Sequence, residues 1–136
     1  MQKDNVRAFK NELRNYRYYV DEVNRIGESI EEIYDRLGGV RGIDPSKEPL
    51  HTMPDKDMEY MLRDKITSLE AKKHRLEGEI KRIDRILEKM ETSLRNAVEV
   101  VFIDGNTIWS VSYKMNLSPT GLKKRMNRAI EKALET

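Results

Sequence analysis

AVEVVFIDGNTIWSVSYKM, residues 97–115, is the stretch whose reading decides the fold. By propensity it is β-branched and aromatic on both sides of Asp104-Gly105-Asn106, the signature of a β-hairpin. By position the same residues give a helix from about Ser93 to Ile103, a turn, and a second helix from about Thr107 to Met115. The residues that follow favour the helical reading. Asn116-Leu117-Ser118-Pro119 is a turn that ends in a strong N-cap, with proline at the first helical position. Beyond it Leu122, Met126, Ala129 and Ala133 share one helical face, supported by Ile130 and Leu134. The opposite face carries Thr120, Lys123, Lys124 and Asn127, with Arg125 and Arg128 to its sides. Ser112 is small enough to allow close helix packing, where a buried hydroxyl would need a partner. Trp109 and Tyr113 are expected to pack this small domain or its joint to what precedes it.

Upstream, two heptad series run through the chain. The first reads Phe9, Leu13, Tyr16, Val20, Val23, Gly27, Ile30, Tyr34, Leu37, and the second Leu62, Ile66, Leu69, Lys73, Leu76, Ile80, Ile83, Leu87, Met90, Leu94. Alternating steps of four and three over several heptads keep one seam facing a partner helix. Folded back on each other, the seams agree: Tyr34 meets Ile66, Val23 meets Leu76, Leu13 meets Leu87, Phe9 meets Met90 and Val6 meets Leu94. The two irregular positions, Gly27 and Lys73, fall opposite each other, where a missing side chain leaves room for a lysine stem. The reading is an intramolecular antiparallel coiled-coil hairpin over residues 1–95; seaming with a second chain is the alternative. The first arm is expected to stop at Gly38-Gly39, and Thr52 or Asp55 to cap the second. The connection at about 38–56 is rich in Gly, Pro and Asp, and its Arg41, Lys47 and His51 are the residues that would meet a partner. The expected fold is therefore all-α: this hairpin, then a small three-helix domain over residues 96–136.

Composition narrows the function classes. Charged residues make up 37% of the 136-residue chain and apolar ones 38%, a profile that suits long solvated helices. No run is long enough to cross a bilayer, the first residues lack a signal-peptide core, and there is no cysteine, so a cytoplasmic protein is expected. His51 and His74 have no neighbours at ligand spacing, so no metal or other cofactor is expected. No nucleophile with a base, convergent carboxylate pair or Gly-rich phosphate loop stands out, and neither an enzyme nor a small-molecule binder is expected. The overall charge of +2 hides an asymmetry. Residues 1–95 are neutral, whereas Lys123, Lys124, Arg125 and Arg128 lie between Ser118 and Ile130 without an acid among them.

Residues 94–134 resemble the promoter-reading C-terminal region of sigma factors (region 4). The resemblance rests on Val98, Val101 and Phe102, on Asp104-Gly105, on Thr107 with Val111, on Met115, Leu117 and Ser118, and on Leu122, Met126 and Ala129. The sequence departs from that pattern at Ser110, where Glu is usual, and at Ser112, where Ala is usual. With its charged helical first half, the whole chain is similar to phage and prophage transcriptional regulators of the RinA/ArpU type. This resemblance implies a helix-turn-helix that docks a recognition helix in the major groove of duplex DNA, with the coiled coil meeting RNA polymerase or a second copy. On that helix Thr120, Lys123, Lys124 and Asn127 reach base edges or phosphates, Asn127 being suited to adenine, while Arg125 and Arg128 grip the backbone. Gly121 would permit close approach. Two alternatives stand beside it: a DNA-packaging protein of the small-terminase kind, and an interaction or inhibitor module whose basic helix grips a protein.

Overall fold

A computed structural model of the chain describes residues 2–38 and 56–135. All regular structure among them is helical: α1 (Gln2–Arg14), α2 (Tyr16–Arg36), α3 (Lys56–Glu88), α4 (Thr92–Val98), a π-helical turn (Glu99–Ile103), α5 (Ile108–Lys114) and α6 (Pro119–Glu135). The all-α expectation holds, and the ambiguity of residues 97–115 resolves to helix–turn–helix. Burial outweighs β-propensity here, since Ala97, Val98, Phe102 and Val111 all enter one core when the segment is helical. The final turn before the break is π rather than α: the Asp104 N–H reaches the Glu99 carbonyl, five residues back, at 3.0 Å. Gly105, at φ +77°, takes the left-handed conformation that ends it.

By contacts the chain divides into two units: Met1–Tyr19 with Gly78–Thr136, and Val20–Glu77. In the first unit a single core joins Val6, Phe9 and Leu13 of α1, Ile83, Ile86 and Leu87 of α3, and Leu122, Met126 and Ile130 of α6. The boundary expected between residues 95 and 96 therefore runs through the middle of a core. Four short helical pieces cannot enclose Leu122 and Ile130, both fully buried, without the apolar rows of α1 and α3. The unit is pinned at its surface as well. The Tyr16 hydroxyl donates to Asp84 at 2.8 Å, Arg82 pairs with Glu12, and Arg17 reaches Asp104 at 2.6 Å.

In the second unit the α3 seam lies where expected as far as Ile66 and Leu76, which are buried. The α2 seam does not. Glu22, Ile26 and Ile33 are the buried residues, whereas Tyr34 is 43% exposed and does not serve as a seam residue facing Ile66. The chain is interrupted at Asn15, whose N–H is shared between the Asn11 and Glu12 carbonyls at 3.2 and 3.1 Å. A bond to the third residue back winds the backbone by about 120° per residue instead of about 100°. That single bond adds only about 20°, whereas the inward place in α2 falls one residue earlier in each heptad, at Glu22, Ile26 and Ile33 in place of Val23, Gly27 and Tyr34. Val23, Gly27, Ile30 and Tyr34 line an open groove with Lys73 and His74 instead. The pairing of irregular positions holds all the same: a Cβ placed on Gly27 would lie 3.9 Å from the Lys73 Nζ. Buried Glu22 is held by Arg25 and by Lys72, the latter at 3.5 Å.

The first arm ends as expected, with α2 closing at Arg36 and Gly38 left-handed at φ +79°. Gly39, Arg41, Lys47, His51, Thr52 and Asp55 lie outside the described residues.

Candidate nucleic-acid interface

Two caps set the geometry of α5 and α6. Thr107 opens α5, its hydroxyl accepting the Ser110 N–H at 3.2 Å, and Ser110 in turn donates to the Thr107 carbonyl. At the other end Asn116 sits at φ +57°. The Leu117 N–H then bonds the Ser112 carbonyl at 2.9 Å and the Asn116 N–H the Tyr113 carbonyl at 3.2 Å, a Schellman closure in which asparagine fills the usual glycine position. Ser118 follows at once as the N-cap of α6, accepting the Gly121 N–H at 3.0 Å, and Pro119 is the first helical residue. The turn therefore contains only Met115 to Ser118, and α5 packs directly on α6. Ser112 is 2% exposed where the helices meet, and its hydroxyl finds its partner in the Trp109 carbonyl at 2.9 Å.

Leu122, Met126, Ile130 and Ala133 bury one face of α6. The sequence-derived residues distribute unevenly around the rest. Thr120, Lys123 and Lys124 are exposed, as are Arg125 and Arg128. Arg125 and Arg128 turn to one flank, where with Lys89, Met90, Leu94 and Lys132 they line a groove of about 540 Å³. Lys123 lies on the other flank, beside α1, at about 100° per residue around the helix. Asn127 differs from the open display expected of a base-reading residue. It is half-buried, and its Oδ1 is shielded from solvent with no hydrogen-bond partner. Gly121 has a local reason for being glycine, since a Cβ there would come within 2.9 Å of the Ser118 Oγ.

Two findings lie outside the sequence reading. Trp109 and Tyr113 do not pack the domain or its joint; they are 75% and 85% exposed, one turn apart on the outer face of α5. The inward places on that short helix go to Val111 and Ser112. Lys10 and Arg14 of α1 come to the Lys123 flank, both standing over the Phe102 ring at 5.3 and 5.6 Å from its centroid. Burial first, then the positive charges of Lys123 and Arg14, holds the Lys10 ammonium below the ordinary lysine range. The signal for these two residues was their helical spacing, hidden inside a half of the chain whose charges sum to zero. Among the described residues no cluster of three or more His, Cys, Asp or Glu could hold a metal ion, and no helix is long and apolar enough to cross a membrane. No family model matches the chain, and neither a curated protein nor a solved structure matches it.

Proposed function

We propose that this chain is a DNA-binding transcriptional regulator of the phage type, which seats α6 in the major groove of duplex DNA. The observation that carries the reading is α6 itself. A tightly capped, four-residue turn joins it to α5, its apolar face is anchored in the core, and its free surface carries Thr120, Lys123, Lys124, Arg125 and Arg128 with no acid through the first three turns. A helix that offers its N-terminal turns to base edges while cations hold phosphates is the working geometry of a helix-turn-helix. Lys123 and Lys124 stand where the first turns would enter the groove. Arg125 and Arg128 are set to the side, the position for gripping backbone. Asn127 would have to turn its carboxamide outward to read adenine by both of its polar atoms. In this reading α2 and α3 form an antiparallel coiled-coil hairpin that meets RNA polymerase or a second copy of the chain, in the cytoplasm of a bacterial host.

Electrophoretic shifts of a random-sequence duplex at several salt concentrations test it. Affinity is expected to fall steeply with salt, and Lys123, Lys124 and Arg128 all replaced by alanine to lower the slope of log affinity against log salt by about 2.7, at about 0.9 per lost phosphate contact. Equal binding by the wild type and this triple variant would refute it. The exposed Trp109–Tyr113 pair favours a second reading, in which α5 and α6 grip a protein; capture of no DNA at low salt would turn attention there.

A further inference from the structure

The exposed side of α1 carries more than Lys10 and Arg14. Lys3, Arg7, Lys10 and Arg14 follow each other at steps of four, three and four, the spacing that keeps residues on one helical stripe. This stripe runs beside the buried row Val6, Phe9 and Leu13. Lys3, Arg7 and Arg14 are exposed and Lys10 is half-buried. Arg17 continues the line into α2 but is already paired with Asp104. Among the described residues none of the four has a carboxylate within ion-pair distance. Arg14 has only the Asn11 side-chain oxygen, at 2.9 Å.

What sets this stripe apart is its continuity, since on the other helices cations and acids alternate within a turn at several places. Arg63 pairs with Glu59, Lys73 with Glu77 and Arg82 with Glu79, each within one helical turn. α1 carries two acids: Asp4 in its first turn, in no ion pair among the described residues, and Glu12, which turns away from the stripe toward Arg82. Like charges three or four residues apart oppose helix formation, so a row of four cations, none in an ion pair among the described residues, is a cost to α1 with little local return. The row also has a definite neighbour. α1 packs against α6, and Lys10 and Arg14 share the Phe102 ring next to Lys123. Burial together with the charges of Lys123 and Arg14 lowers the affinity of Lys10 for its proton, a repulsion that an anion would relieve.

We infer that Lys3, Arg7, Lys10 and Arg14 form a second phosphate-binding element, with α1 lying along the backbone of the same duplex whose groove α6 enters. The inference rests on the DNA reading of α6. Lys3 to Arg14 spans about 16 Å at 1.5 Å per residue, and phosphates on one strand recur about every 3.4 Å of rise, so several fall within reach. Such contacts add affinity and orientation without reading sequence.

Fluorescence anisotropy of a labelled random-sequence duplex, titrated with the full chain at several salt concentrations, separates the two claims. Replacing Lys3, Arg7 and Arg14 by glutamine, all at exposed positions, is expected to lower the salt slope by about 2 to 3 and to weaken binding at least tenfold at about 0.1 M salt. A matched variant with Lys56, Lys65 and Arg75 replaced by glutamine controls for total charge and is expected to bind as the wild type does. If the α1 variant keeps the wild-type slope while a Lys123→Gln, Lys124→Gln variant loses affinity, the α1 element is overturned and the role of α6 stands. An equal loss in the Lys56, Lys65 and Arg75 variant also overturns it, because net charge then accounts for the effect. No duplex binding by the wild type removes both claims.

Discussion

Replacing Gly121 by alanine sets two effects of similar size against each other. Alanine is favoured over glycine inside a helix by about 0.8–1.0 kcal/mol. At this position, however, the new Cβ would stand 2.9 Å from the Ser118 hydroxyl oxygen, which already accepts the residue-121 N–H at 3.0 Å. Serine relieves the clash by rotating its short side chain, and that removes the N-cap bond, worth about 1 kcal/mol. The net change in stability of Gly121→Ala is therefore expected to be near zero. In a Ser118→Ala background nothing is left to displace, and the same substitution is expected to stabilise by about 0.8–1.0 kcal/mol. The coupling between the two sites is thus about 1 kcal/mol, well above the departures from additivity seen for independent sites. Urea unfolding of the four proteins, followed by helical circular dichroism and by the fluorescence of Trp109, the chain's single tryptophan, measures it. A gain of about 1 kcal/mol in both backgrounds would refute the cap argument. If that gain came with a loss of DNA affinity, the glycine would serve close approach to the duplex instead.

Replacing Asn127 by leucine removes a shielded acceptor with no hydrogen-bond partner among the described residues, so stability is expected to rise by about 1 kcal/mol in thermal unfolding; a fall of that size would mean the oxygen is satisfied. Tyr16 is expected to make the first unit sensitive to alkali. Its phenol is pushed up to about 12 from the ordinary value of 10 by burial first, then by its hydrogen bond to Asp84 and by the negative charges of Asp84 and Glu99. A raised value in the folded state means that the stabilisation is complete below pH 10 and is lost as pH rises through about 12. The stability advantage of the wild type over Tyr16→Phe, about 1 kcal/mol at neutral pH for one hydrogen bond, should shrink across that window, and an unchanged gap from pH 9 to 12 would contradict it.

Local chemistry was the most legible part of this sequence. Thr107, the Asp104-Gly105 break and the Ser118-Pro119 start each specify a helix end through a single residue's hydrogen bond or dihedral angle, and those effects do not depend on distant contacts. The pairing of Gly27 with Lys73 was legible for a related reason, since two defects at one level constrain each other. What could not be read was which residues of α2 face inward. The heptad count in α2 placed Tyr34 inside, but Glu22, Ile26 and Ile33, each one residue before an expected seam position, take the buried places. A wheel with both Ile26 and Val23 near its apolar edge does not separate the two phases. The core that α1 shares with α6 was not legible, because the buried row of α1 looks the same whether it faces α3 alone or α3 and α6 together. Trp109 and Tyr113 were misplaced because aromatic residues are usually buried, and the small Ser112 already occupies the contact they were expected to make. Asn127 lies about 140° around α6 from Leu122, at the border where a wheel cannot say whether a short side chain turns in or out.

The shared core has a consequence for the electrostatics of the candidate interface. Leu122, Met126 and Ile130 of α6 complete their core with Val6, Phe9 and Leu13 of α1. α1 therefore cannot leave without exposing the floor on which α6 rests. The charges of α1 and α6 are held in one fixed relation by that packing, and Phe102, buried between them, places two cations of α1 over its ring. A loose basic tail would also supply charge, but it would lose conformational entropy on each contact with a phosphate. Cations already fixed on a packed helix avoid most of that loss. The first fourteen residues, which as sequence look like the plain start of a heptad helix, thus act as part of the C-terminal module in packing, and their charges fall on the flank where α6 offers Lys123.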